Sequence, residues 1–288
     1  LVLGFSFYPE VLIVCQIVFV VTNFNNTAYT EKMIDSLSSL SDVSKVYVVD
    51  NCSVDEEKKR LVSLQSKHEH WVTAIFNDKN LGYFEGLNIG IRIARKENPM
   101  ISYVVVGNND LIFPDNFDKQ LDVCSTVFDK YPVVSPDIRM LDGTPQNPHV
   151  ISGISKKREF VYDLYHSSYW LAGLIVRLAQ MTHRFTDRKD EQQHAVAQEI
   201  HQGYGACYIL TPKFFEHFDE LWAPTFLMYE EFFLAKQLEE KGFKTYYEPR
   251  ISVTHYCHAS TGMIPGKLKW QYSRQAHKEY RKYVKVWP

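Results

Sequence analysis

Two adjacent glutamates, Glu230-Glu231, open an amphipathic run over residues 232–241 and are the side chains best suited to move a proton. Counted on a helix from Glu231, positions i+3, i+4 and i+7 are Leu234, Ala235 and Leu238, which puts Glu231 on the inward stripe and turns Glu230 away from it. A carboxylate aimed into a cleft from a helix start can serve as a general base, whereas two acids in a first turn also simply complement the helix dipole. Asn108-Asn109-Asp110 follows the apolar run 103–106. One carboxylate beside two amide oxygens suits a hard cation that bridges nucleotide phosphates, and equally an Asx turn before Pro114. His255 continues the alternation of Ile251 and Val253, with His258 and Ser260 close behind. Its ring therefore reads either as a metal or phosphate contact or as a satisfied core histidine.

Asp50-Asn51 closes the apolar run 45–49, where a carboxylate can accept hydrogen bonds from a ribose hydroxyl or a base N–H, or can cap the next helix. Asn80-Leu81-Gly82 through Gly86 and Asn88 to Gly90 reads as a glycine-bearing loop entering a helix, with Asn88 in the first turn. Backbone N–H groups in such a loop can approach a diphosphate, although the spacing is neither G-x-G-x-x-G nor a P-loop.

The elements that must hold these residues follow from periodicity. Short β-branched runs at 17–21, 45–50, 72–76 and 102–107 alternate with helical patterns near 28–40, 55–67, 85–97 and 115–130. That order predicts βαβ units and an α/β fold with a twisted, mostly parallel sheet flanked by helices. Ligands of such sheets sit beyond the carboxyl ends of the strands, where Thr22-Asn23-Phe24-Asn25, Asp50-Asn51 and Asn108-Asn109-Asp110 fall. Residues 138–165 read as turn-rich, 166–200 as one or two helices, 206–210 as a strand, 229–241 as a helix and 244–254 as a strand pair. The expected division is an unassigned extension (1–16), a half carrying the ligand positions at the strand ends (17–137), a smaller lobe carrying Glu230-Glu231 and His255 (138–265) and a basic, aromatic tail (266–288).

A net charge of −2 argues against nucleic acid as a partner. Five dispersed cysteines without a C-x-x-C pair fit a reducing, cytoplasmic setting. The apolar start is interrupted by Pro9 and Glu10 and is too short to cross a bilayer. The tail mixes Lys267, Lys269, Arg274 and Lys278 with Trp270, Tyr272, Tyr280 and Trp287. It fits either peripheral contact with the anionic inner face of a membrane or a helix packed back on the domain.

Taken in order, residues 20–25, 48–53, 80–90, 108–110, 203–206, 229–231 and 253–255 resemble the inverting family 2 glycosyltransferases of GT-A fold, particularly their rhamnosyltransferase-like branch. The resemblance implies transfer of a sugar from a nucleoside-diphosphate sugar to the hydroxyl of a glycan or lipid-linked glycan acceptor, in surface polysaccharide or glycan synthesis, with Mn²⁺ or Mg²⁺ as cofactor. It implies that Thr22, Asn23 and Asn25 flank the nucleobase, that Asp50 binds base or ribose, and that Asp110 and His255 lie at the metal and diphosphate. Glu231 then corresponds to the catalytic base, with Gly205 and Glu230 on the acceptor side. Asn80, Gly82, Asn88, Asn108 and Asn109 complete the expected donor site. Three positions depart from the family pattern: Asn108-Asn109 where the D-x-D motif begins, Glu231 in place of Asp, and Phe233 where an acid is common. Two other readings are a sugar nucleotidyltransferase, against which the absence of glycine and basic residues in 22–27 argues, and a non-catalytic carbohydrate-binding pseudoenzyme.

Overall fold

The computed structural model describes residues 16–99, 101–182, 190–256 and 266–286; most of the 1–16 extension, part of the charged stretch 184–191, His258, Ser260 and Trp287 lie outside them. The chain runs β1 (Ile17–Asn23), α1 (Thr27–Leu37), β2 (Val43–Asp50), α2 (Asp55–Lys67), β3 (Val72–Phe76), α3 (Tyr83–Glu97), β4 (Tyr103–Asn108), the short β5 (Leu111–Ile112), α4 (Phe117–Val123), α5 (Ser125–Phe128) and β6 (Val133–Met140). It continues through α6 (Lys156–Ser167), α7 (Tyr169–Thr182), a 3-10 turn (Asp190–Gln193), β7 (Gln198–Ile200), β8 (Cys207–Leu210), α8 (Pro212–His217), α9 (Glu230–Glu239), β9 (Thr245–His255) and α10 (Gly266–Tyr280).

These strands form a single sheet in the order β3-β2-β1-β4-β8-β6-β9-β5, with β7 on β9. The first four are parallel, as the alternation of runs predicts. Beyond them, β8 is antiparallel to both β4 and β6, so the sheet as a whole is mixed. Strand β6 spans the expected 137/138 boundary, and the second half extends the sheet of the first. β1 lies in the middle of the parallel half and is buried on both faces, as the unbroken apolar run Ile17 to Val21 requires. Its alternate residues feed two cores: Phe19 and Val21 meet Met33, Ile34, Leu61 and Phe117 on one face, while Val18 and Val20 meet Leu87, Ile91, Phe214 and Leu234 on the other.

Several elements differ from their expected form; β7 lies at the end of the stretch read as helical, and the helix expected near 115–130 is split into α4 and α5. Residues 156–165 of the stretch read as turn-rich are helical and belong to α6, which is started by the Ser155 hydroxyl accepting from the Arg158 N–H. The strand pair across 244–254 is instead one strand, β9, bulged near Pro249, where the pairing jumps from Pro136↔Glu248 to Asp137↔Ser252. The bulge brings Arg250 back onto the buried Glu248 through two bonds of 2.8 and 2.7 Å. Helix α3 begins at Tyr83, so Gly86 lies inside it and Asn88 falls in its second turn.

The basic tail forms α10 and packs back on the domain, with Trp270 and Tyr280 buried. It is clasped to α6: Arg281 bonds Glu159 at 2.7 Å and Asp163 at 2.6 Å, Tyr280 donates to Glu159, and His277 bonds Asp163 at 2.9 Å. His277 also stacks on His166 at 4.1 Å. Burial first, and then the charge of His277 on His166 and of Arg281 on His277, hold both imidazoles below their usual pKa, His166 down to about 4. Two neutral rings can stack in this way without repulsion.

Candidate functional site

The polar residues beyond β1, β2 and β4 do converge, and most of them bond to one another. Asn23 donates to Asp50 at 2.8 Å and accepts from Thr30 at 2.9 Å and from Asn109 at 3.0 Å. Asp50 also accepts from the Ser53 hydroxyl at 2.5 Å and the Ser53 N–H at 2.9 Å. Asn109 reaches Asn26 at 2.8 Å and Thr30 at 2.7 Å. All of these side chains are buried. Asn23, Asp50 and Asn109, expected to touch nucleotide, therefore tie three strand ends together beneath the surface. Asn25 is similarly engaged: its side chain accepts from the Val54 N–H at 2.8 Å, and its backbone takes a left-handed φ of 55°. The Asn88 amide bonds the Leu221 backbone in both directions, at 2.8 and 2.9 Å, and so braces α3 against the segment leading to α9.

Thr22, Asn80 and Asn108 stay half-buried at the surface of this shelf. Asn80 accepts from the Gly82 N–H at 2.9 Å, closing an Asx turn that launches α3. Gly82 itself has φ +87°, and a Cβ there would lie 2.0 Å from the Phe226 carbonyl oxygen. Only glycine lets the 82 and 226 segments cross at this distance.

Antiparallel pairing of β5 with β9 sets Leu111 opposite His255 and so brings Asp110 to the histidine across 145 residues of sequence. Asp110 Oδ1 lies 3.1 Å from His255 Nε2, and Asn108 Nδ2 lies 3.3 Å from the same nitrogen. Gln146 fixes the other side of the ring through Nδ1 at 2.8 Å. Asp110 and His255 are both almost fully buried. Carboxylate oxygen and imidazole nitrogen at this separation are as close as neighbouring ligands of one cation, whose bonds to O and N are about 2.0–2.2 Å. Among the described residues, no group of three or more His, Cys, Asp or Glu converges on a metal position. A cation here would thus take two protein ligands and fill its remaining positions from phosphate and water.

The second cluster forms at the start of α9. Glu231 Oε1 accepts from the Gly205 N–H at 3.3 Å, and a Cβ on residue 205 would come within 2.8 Å of that oxygen. Glycine at 205 therefore leaves room for the carboxylate. Glu230, expected to turn outward, is the more buried of the two and accepts from the Met228 N–H at 2.9 Å. Burial, and after it the charge of Glu231, raise the Glu230 carboxyl well above its ordinary pKa. Met228 and Tyr229, just before the helix, both have left-handed φ, at 75° and 67°. Strained non-glycine backbone persists only where its surroundings hold it. Here the Thr225 hydroxyl on Met228 O, Glu230 on Met228 N and His277 on the Tyr229 hydroxyl do so.

Tyr83 joins the two clusters and was not singled out by sequence, although it lies inside the 80–90 motif. Its hydroxyl donates to the Gly205 carbonyl at 2.7 Å. Its pKa is raised by burial, then by Cys207 and by the carboxylates Glu230, Glu231 and Asp110, all close enough to bear on it. Ala206 completes the link, accepting from the Asn108 N–H at 2.9 Å. Gln146, which orients His255, carried no sequence signal at all.

A raised carboxyl pKa has a testable sign. The stability associated with protonated Glu230 is fully present below pH 4.5 and is lost as pH rises through the folded-state value of about 8. Glu230→Gln keeps the bond to Met228 and removes the charge. Its melting temperature relative to the parent is expected to climb between pH 4.5 and about 8; a pH-independent difference in paired melting curves would show that Glu230 is ionised throughout.

Residues 18–125 match the sequence profile of Glycosyl transferase family 2. No curated protein matches the chain by sequence. Among solved structures, GalNAc-T7 determined with UDP, GalNAc and Mn²⁺ aligns at a TM-score of 0.55 and 12% identity, over 88% of this chain and 45% of that one. The mannosyltransferase PcManGT from Pyrobaculum calidifontis, in complex with GDP-Man and Mn²⁺, aligns at 0.55 and 13% identity, over 94% of this chain and 65% of that one. TarS from S. aureus aligns at 0.54 and 9% identity, over 94% and 44%. The chain thus spans less than two thirds of the length of each. Residues 18–125 are accordingly matched to glycosyl transferase family 2, and the fold of the chain is that of the GT-A glycosyltransferases.

Proposed function

We propose that the chain is a glycosyltransferase that moves a hexosyl or deoxyhexosyl unit from a nucleoside-diphosphate sugar to an acceptor hydroxyl with inversion. The observation that carries this reading is the run of contacts from the Asp110–His255 pair, through Asn108 bonded to Ala206 and its neighbour Gly205, to Glu231 and Tyr83, which both bond Gly205. The family match over 18–125 and structural neighbours holding UDP or GDP-Man support it. Surface-glycan synthesis and a lipid-linked glycan acceptor belong to the same proposal.

Asp110 and His255 fit a divalent cation, with Asn108 beside them. When bound, such an ion neutralises charge on a departing diphosphate. Thr22, Asn80 and the amide groups entering α3 line the donor side, where the positive end of the helix favours phosphate. Glu230, the buried member of the pair, keeps its proton because burial and then the charge of half-buried Glu231 oppose its ionisation, and this leaves Glu231 as the anion. Glu231, held by Gly205 N–H, takes the acceptor proton as the hydroxyl oxygen attacks the anomeric carbon. Direct attack gives inversion and leaves no covalent sugar on the protein.

The test is a thermal-shift panel of UDP, GDP, dTDP and CMP, each with and without Mn²⁺, on the parent and on Asp110→Ala. One nucleotide is expected to raise the melting temperature, to do so more with Mn²⁺, and to lose that increment in Asp110→Ala. Selection of dTDP would favour the rhamnosyltransferase-like branch. No stabilisation by any nucleotide would sink the proposal in favour of a carbohydrate-binding module.

A further inference from the structure

Helix α7 is mostly apolar, with Arg177 as its one charged residue. Among its described side chains only Ala172 is fully buried, with Leu171, Ile175 and Ala179 half-covered on the inward side. The outward stripe, at helical spacing, is Trp170, Leu174, Arg177 and Met181, with exposures of 88% for Trp170, 53% for Leu174 and 79% for Met181. Contiguous exposed apolar surface of this kind marks an interaction site.

Its rim is positively charged. Exposed Lys156 and Lys157 share the outer face of α6 with exposed Leu164, at helical spacing. Contact between the Tyr169 and Trp270 rings, at 5.6 Å, sets the start of α10 beside the start of α7, adding exposed Lys267 and Leu268. The acidic residues of α6 are turned elsewhere: Glu159 and Asp163 are bonded to Arg281, Tyr280 and His277. Helix α7 contains no carboxylate.

We infer that the α6–α7 hairpin, with the first turn of α10, is a docking face for an anionic lipid surface. A helix with Trp and aliphatic residues outward, flanked by Lys and Arg, lies in the headgroup boundary with its cations among lipid phosphates. At 14 residues α7 is about 21 Å long, short of the roughly 30 Å hydrocarbon core. No described helix is long and apolar enough to cross a membrane, so α7 lies on the bilayer. A symmetric pairing of two copies through this face would bring the Lys156, Lys157, Arg177 and Lys267 rims of both copies into one interface with no carboxylate of α7 to pair them, which disfavours a second chain as occupant. The inference does not depend on the proposed reaction.

Flotation with vesicles tests it, using the 288-residue chain. Vesicles of phosphatidylcholine and phosphatidylglycerol at a three-to-one ratio are compared with pure phosphatidylcholine. The parent is expected to float with the anionic vesicles, less so at high salt, and weakly with neutral ones. Trp170→Ser/Leu174→Ser/Met181→Ser and, separately, Lys156→Glu/Lys157→Glu are each expected to bind at least about tenfold more weakly. Both keep the parent's circular dichroism, since every changed side chain is exposed. Absence of flotation by the parent overturns the inference, as does flotation of both variants at the parent's level. Self-association of the parent in sedimentation equilibrium, abolished by the triple substitution, overturns it in favour of a second copy.

Discussion

Glu231→Gln is expected to lower kcat for sugar transfer by about 10²–10⁴-fold, the usual worth of a general base, while the KM for donor changes little. The amide is nearly isosteric, and its oxygen still accepts from the Gly205 N–H, so the start of α9 stays in place. What is lost is the anion that removes the acceptor proton. Nucleotide stabilisation in the thermal-shift panel is expected to persist, because Asp110 and His255 are untouched. Initial rates of nucleotide release, measured with the donor chosen by that panel, decide the matter. A kcat within severalfold of the parent would remove Glu231 from the chemistry and leave Glu230, the buried carboxyl at this helix start, as the next residue to test.

The second large effect is structural. Arg281→Ala leaves Glu159 buried with the Tyr280 hydroxyl as its remaining donor and takes one of the two partners of Asp163. Stranding a buried carboxylate costs about 3 kcal/mol or more. For a chain of this size that corresponds to a fall of roughly 6–12 °C in melting temperature. Arg281→Lys recovers only part of it, since an ammonium cannot span Glu159 and Asp163 as the guanidinium fork does. Because His277 joins Asp163 to the Tyr229 hydroxyl, loosening this clasp also frees the strained turn that presents Glu230 and Glu231. Scanning calorimetry reads the first effect, and kcat of the still-folded protein below its transition reads the second. An unchanged melting temperature would mean that α10 contributes little to the fold.

The parallel half of the sheet was legible because strands such as β1 are buried on both faces and must be apolar throughout. The second half was less so. Pairings such as β4 with β8 join residues about a hundred positions apart and leave no local periodicity. Glu230 was misread for a related reason. The helical-wheel argument assumed one buried side for α9, yet Phe232, Phe233, Leu234, Ala235 and Leu238 are all buried, because α9 lies between the sheet and α10. The stripe that starts at Glu230, through Phe233, Leu234 and Gln237, is as much inside as the one starting at Glu231. Asp110 and His255 carry separate signals in the residue pattern and are set at one metal only by the family resemblance; the β5–β9 register is what brings them together. Asn23, Asp50 and Asn109 could not be told from ligand contacts in sequence, since polar groups at strand ends serve equally well to satisfy one another.

That mutual satisfaction bears on the thermodynamics of ligand capture. With Asn23, Asp50, Ser53, Thr30 and Asn109 in one closed hydrogen-bond circuit, the ends of β1, β2 and β4 are locked when the chain folds. A ligand arriving on this shelf meets walls whose conformational entropy is already spent, so little of its binding free energy goes into ordering loops. The heat-capacity change on binding then reports the area of the ligand's own contact, without an added signature of local folding.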